Sequence, residues 1–176
     1  METSLHLSKL IFAEVKDELL YLSEKRAMLI PIKSFGVLQR DLIANIGIDR
    51  MKRFFFQYGW NLGKEDAKSF GMDLPISLLD KILYGPQFHA SQGHTKVKVT
   101  DSDITIDNGK VTSIVLNGIW EQSYEASQHI ENFGLAEEPI CYTLTGYASG
   151  YTSALVGQDV FFKEHQCEGE GAPFCV

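Results

Sequence analysis

Cys141, Cys167 and Cys175 are the chain's three cysteines, and Glu164 joins the last two in E-x2-C-x7-C. Three thiolates and one carboxylate suit a borderline-soft cation, and zinc accepts sulfur and oxygen together in a tetrahedron. Four protein ligands leave no open position, so such a zinc is structural and pins the C-terminal end of the chain. His165 competes with Glu164 for the fourth place, because imidazole is a common zinc ligand. If residues 159–165 form a strand, the two side chains point to opposite faces, and Glu164 shares the inward face of Val160 and Phe162. A carboxylate turned inward needs a partner, which a cation supplies. Cys141 follows Pro139 at the expected start of a helix, where unsatisfied N–H groups favour thiolate over thiol. Two other readings of the cysteines stay open: three unrelated buried thiols, or a metal-free thiol switch.

His89, in G-P-Q-F-H, and Trp120 form the second constellation. An imidazole and an indole N–H can both serve a small polar group inside an apolar pocket, which is the usual composition of a small-molecule site. His94 and His129 read as loop and helix-surface residues without a role. No G-x-S-x-G or Walker-type loop occurs, and no nucleophile stands beside an evident base, so the chain is not expected to be an enzyme.

The elements that position these residues follow from periodicity. Residues 7–13, 18–22 and 27–32 read as short strands. From Ser34 the period becomes helical, with Phe35, Leu38, Leu42, Ile43 and Ile46 on one side and a stop at Gly47. A second helix is capped by Asp49 and carries Met51, Phe54, Phe55, Tyr58 and Leu62. A third begins near Asp73 and is expected to break at Gly85-Pro86. Residues 95–100 and 103–107 alternate as strands, Asn108-Gly109 is a hairpin turn, and the partner strand places Ile114, Leu116, Gly118 and Trp120 on one face. Helices over 123–134 and 140–156 follow. Gly146, Gly150 and Ala154 form a bare stripe on the second of these, read as a packing surface, and the chain ends in a strand over 159–165.

With 176 residues, the chain is long enough for one domain or two small subdomains sharing a core. A net charge of -7 excludes direct binding to a phosphate backbone, which needs a basic face. Neither a basic-then-apolar leader nor a run of eighteen apolar residues occurs, and the expectation is a cytoplasmic protein without membrane contact. In a reducing compartment an odd number of cysteines suits metal better than disulfides.

F-G-V-L-Q-R-D-L-I-A-N-I-G-I-D-R, G-P-Q-F-H, W-E-Q-S-Y-E-A-S-Q-H, C-Y-T-L-T-G-Y-A-S-G-Y and E-x2-C-x7-C, in that order, closely resemble the N-terminal sensor domains of XylR/DmpR-type regulators. The latter half resembles the 4-vinyl reductase-type domain of these sensors. The resemblance implies an α+β fold, with a dimerising portion over 1–75 and a ligand-binding portion over 76–176 closed by structural zinc. It places the zinc ligands at Cys141, Glu164, Cys167 and Cys175. It places a phenol-sensing pair at His89 and Trp120, with Phe88 and Phe162 enclosing the ring and Gly118 leaving space beside Trp120. It further implies a homodimer that binds a monocyclic aromatic effector and controls an attached AAA+ ATPase, which drives sigma-54 RNA polymerase and is absent from this sequence. The alternative is an enzyme or pigment-metabolism accessory protein of the broader 4-vinyl reductase-type group.

Overall fold

A computed structural model describes residues 13–22, 25–71 and 76–176. Three short antiparallel strands, β1 (Ala13–Lys16), β2 (Leu19–Leu22) and β3 (Lys25–Arg26), precede two helices, α1 (Ile32–Ile46) and α2 (Ile48–Asp66). A π turn over Ala67–Gly71 follows α2, and α3 (Leu78–Ser91) leads into the hairpin β4 (Lys96–Asp107) and β5 (Lys110–Glu121). Helices α4 (Tyr124–Phe133) and α5 (Tyr142–Val156) and a single 3-10 turn at Glu168–Glu170 complete the order. The architecture is α+β, and no described helix is long and apolar enough to cross a membrane.

Several boundaries depart from periodicity. Most of the strand expected over 7–13 and the expected start of the third helix, at Asp73 and Pro75, lie outside the described residues. Residues 27–31 form no strand, because Pro31 lacks an N–H and serves as the residue before α1. Gly47, at φ 80°, ends α1 and directly precedes α2, so Asp49 sits in the first turn of α2 and does not cap it. Helix α3 starts at Ser77, whose hydroxyl accepts from Asp80 N at 3.1 Å, and continues through Pro86 where a break was expected. Ile82, Gly85, Phe88 and His89 are buried along it, and a methyl on Gly85 would strike the Tyr151 ring. Packing against α5 outweighs the local cost of proline.

The two expected strands over 95–107 are one strand with a bulge between Val99 and Asp101. Asn108 and Gly109 both have positive φ, 48° and 75°, as the primed hairpin turn requires.

The core is built around α2 and α5. Methyls on Gly59 and Gly63 would overlap the carbonyls of Thr143 and Tyr147, and methyls on Gly146 and Gly150 would overlap those of Phe56 and Trp60. The bare stripe of α5 therefore meets a matching one on α2, and the two backbones touch. Replacing Gly150 with Ala gains about 1 kcal/mol of helix propensity but forces the helices apart, at a typical overpacking cost of about 1–3 kcal/mol or more. Gly150→Ala should melt several degrees below the parent in a thermal scan followed by circular dichroism, although the same change stabilises most exposed helices.

Candidate functional site

The strand expected over 159–165 is absent. The segment runs along α5 and is held by side chains spaced four residues apart. Val160 N donates to Ser153 Oγ at 2.8 Å, Phe162 N donates to Ser149 Oγ at 2.9 Å, and Cys141 N donates to Glu164 Oε2 at 3.0 Å. Hydroxyls on a helix replace a neighbouring strand. Beyond it, Trp120 and Cys175 exchange backbone hydrogen bonds at 2.9 and 2.8 Å, an isolated antiparallel bridge to the end of β5.

This arrangement gathers Cys141, Glu164, Cys167 and Cys175, whose ligand atoms lie within 4.8 Å of one another and can hold a metal ion. The sulfur separations are 3.7, 3.8 and 3.8 Å, and the cysteines are free and buried. A tetrahedron with metal–sulfur bonds of about 2.3 Å has edges of about 3.8 Å. Glu164 Oε1 is buried and makes no hydrogen bond, an orphan acceptor turned toward the cluster. Backbone N–H groups support the sulfurs, from Gly169 to Cys167 at 3.2 Å and from Glu168 to Cys175 at 3.3 Å. Ser123 Oγ lies 3.2 Å from Cys141 Sγ. Burial holds the Cys141 thiol well up, whereas hydrogen bonds from Cys141 and Cys175 hold Cys167 low. Burial, and then the Cys167 charge, pushes Glu164 up to about 7. These shifts are what acidic ligands crowded together show when no cation balances them. His165 is exposed and stays outside the cluster.

Next to the cluster is a cavity of about 350 Å³, within the range of small-molecule sites. Of the residues expected to contact a ligand, His89, Trp120, Gly118 and Phe162 line it. Phe88 does not. It lies on the far side of α3, in the core with Ala67, Tyr147 and Tyr151, because one helix turn cannot aim adjacent side chains at the same space. Gly118 also serves the hairpin: a methyl there would lie 3.0 Å from Lys98 O, so its bareness permits close strand approach.

His89 is 3 % exposed, and its Nε2 is buried without a hydrogen-bond partner. Burial, helped by His94, holds it well below the usual imidazole range, so the ring is neutral and can either donate or accept. Trp120 meets it edge to face at 6.3 Å. His94, assigned no role from sequence, packs against His89 at 4.9 Å and is lowered to about 4 by burial. His129 is half-buried on α4 against Phe133.

Glu125 was missed from sequence. It is 2 % exposed and accepts from Thr143 N, Thr143 Oγ1 and Leu144 N at 2.9–3.2 Å, which satisfies the first turn of α5. Burial outweighs these bonds and pushes it up to about 8. No spacing signals this contact, because eighteen residues and a chain reversal separate the partners.

A family model described as activator of aromatic catabolism matches residues 6–105. The chain belongs to that family. A second model, for the 4-vinyl reductase-type domain, matches residues 120–176, in keeping with the resemblance carried by the sequence motifs. The phenol regulator MopR of Acinetobacter guillouiae is 30% identical over 170 residues, covering 96% of this chain and 30% of that protein. The transcriptional regulatory protein XylR of Pseudomonas putida is 33% identical over 158 residues, covering 89% of this chain and 27% of that protein. The chain thus spans about 30% of the length of these curated relatives. A crystal structure of the phenol-responsive sensory domain of the transcription activator PoxR with phenol matches at a TM-score of 0.85 and 31% identity, covering 96% of this chain and 83% of that one.

The cluster yields a direct expectation. Cys167→Ser should purify with much less metal than the parent, and its C-terminal part should lose cooperative melting, since metal binding in small modules contributes on the order of 10 kcal/mol to folding. Elemental analysis paired with calorimetric melting measures both. A soluble, metal-free variant that melts as the parent does would remove the structural role.

Proposed function

We propose that this chain is the sensor domain of a transcriptional activator and that its effector is a monocyclic aromatic, most favourably a phenol. The observation that carries this reading is the buried, unpartnered Nε2 of neutral His89 in the wall of an otherwise mainly apolar cavity, beside Trp120. An apolar ring fills such a space, and one hydroxyl satisfies the orphan nitrogen. Phe162 and neighbouring aliphatic side chains enclose the ring. The similarity to MopR and to the PoxR sensory domain supports the same class of ligand.

The metal is zinc, favoured by the donor set of three sulfurs and one oxygen and by tetrahedral sulfur spacing. Its role is structural: it fastens the segment over 159–176 to α5 and β5 and so closes the cavity. The portion over 1–75 forms a homodimer. Val37, Leu38, Phe54 and Tyr58 are exposed on α1 and α2, together with Met28, Leu29 and Ile30 ahead of α1, more apolar surface than a short segment leaves uncovered without a partner. The sensor acts in the cytoplasm without touching DNA itself. Effector binding controls an attached AAA+ ATPase by favouring one conformation over another, which requires different affinities for the two.

A buried hydrogen-bonding group left without its partner costs about 1–3 kcal/mol, so His89→Ala should weaken phenol roughly ten- to a hundredfold in calorimetry. Toluene, with no hydroxyl to lose, should change far less. Equal losses would show that His89 only shapes the cavity, and failure of phenol, cresols and toluene alike to bind the parent would overturn the sensor reading. Sedimentation at tens of micromolar should show a dimer; a monomer alone would contradict the assignment of the 1–75 portion.

A further inference from the structure

Behind the cavity wall, a set of buried polar groups holds His89 from the side away from its free nitrogen. Tyr147 lies flat on the imidazole, with centroids 4.1 Å apart and planes 9° from parallel. The Tyr147 hydroxyl donates to Asp66 Oδ2 at 2.8 Å, and Gln92 Nε2 donates to the same oxygen at 2.6 Å. Asp66 is the last residue of α2, 8 % exposed, and Gln92 caps the end of α3. His94 abuts the other side of the site at 74° to the His89 plane. An imidazole stacked on one ring and met by the edge of another cannot turn about its χ2 bond without losing both contacts. No hydrogen bond orients Nε2, so stacking does.

We propose that Tyr147 is a positioning residue for effector selection, fixing the plane of His89 so that Nε2 is ready for an effector hydroxyl, and that Asp66 in turn fixes Tyr147. The proposal rests on the reading that a phenolic hydroxyl bonds His89. Its content is that the preference for a hydroxylated ring over a bare one is set partly by two residues beyond His89 itself. A free-swinging imidazole pays an ordering cost each time it bonds a ligand, and a clamped one does not. The chain of contacts also spans three elements, since Asp66, His89 and Tyr147 belong to α2, α3 and α5. Selection therefore depends on the α2–α5 contact as well as on the cavity wall.

The test is calorimetric titration of the zinc-loaded protein with phenol and with toluene, in the parent and in a graded series. Tyr147→Leu removes the stack and should lower phenol affinity roughly tenfold, with toluene changing less than about threefold, the scale of one aromatic pair. Tyr147→Phe keeps the ring but not the hydroxyl and should fall between Tyr147→Leu and the parent. Asp66→Asn retains an acceptor for the hydroxyl and should keep the parental phenol-to-toluene ratio, whereas Asp66→Leu should lose it as Tyr147→Phe does. Nitrogen-15 spectra of His89 give an independent readout: one fixed tautomer in the phenol-bound parent, and averaging between tautomers in Tyr147→Leu. Parallel losses of phenol and toluene, or a Tyr147→Leu variant with the parental ratio and a fixed tautomer, would overturn the proposal. If His89→Ala changes the ratio and Tyr147→Leu does not, the positioning role falls while the phenol reading stands. If His89→Ala itself leaves the ratio unchanged, the phenol reading falls and this inference with it.

Discussion

Three sulfurs and a carboxylate held within 4.8 Å of one another are the constraint on which the C-terminal third of this fold depends. From Gly157 onward the described chain has only one 3-10 turn and one isolated bridge, so backbone ladders supply almost none of its order. The cluster supplies it by joining three places. Cys141 is the residue before α5, Glu164 and Cys167 belong to the segment that runs back along α5, and Cys175 pairs its backbone with Trp120 at the end of β5. Each place is also a wall of the cavity or adjoins one. Whatever holds the four ligands together holds the cavity closed.

The start of α5 is the junction of this arrangement. Two carboxylates converge there, Glu125 on the amides of Thr143 and Leu144 and Glu164 on the amide of Cys141. Free N–H groups at a helix start attract negative charge, and they make the same spot suitable for a thiolate. Glu168 performs the corresponding task for the preceding turn, accepting from Gln122 and Ser123 at 2.8 Å. On its other side α5 lies backbone to backbone against α2, a distance that only glycines allow. One helix thus meets the metal cluster at its start, the closing segment along its serines, and the N-terminal half of the chain along its glycines. Tyr147, Thr145 and Ala148 on that helix also line the cavity.

Buried polar side chains in this molecule fall into two kinds. Asp66, Glu125 and Ser149 have their partners within the chain. His89 Nε2 and Glu164 Oε1 do not, and these are the groups aligned with a ligand and a metal in the functional reading. An unsatisfied buried atom is costly, so a fold keeps one where something else completes it. His94 Nδ1, also buried and unpartnered, sits directly behind His89, which makes the histidine pair the most polar point near the cavity.

What the sequence by itself determined was chemistry and local geometry. Donor types at Cys141, Glu164, Cys167 and Cys175 specify a sulfur-rich cation site, Asn108-Gly109 specifies the hairpin, and the alternation through Ile114, Leu116, Gly118 and Trp120 specifies one face of β5; each depends on residue type and short spacing alone. Tertiary structure decided orientation. Phe88 and His89 are neighbours in sequence, yet only His89 reaches the cavity, because the helix that carries them runs on through Pro86 once it packs against α5. Residues 159–165 have the composition of a strand but find serine hydroxyls instead of a neighbouring strand, and Glu125 finds the start of α5 across a chain reversal. The physical reason is common to all three. Contacts between distant segments exist only after the backbone has been folded back on itself, and they are strong enough to override the local preferences that periodicity reads.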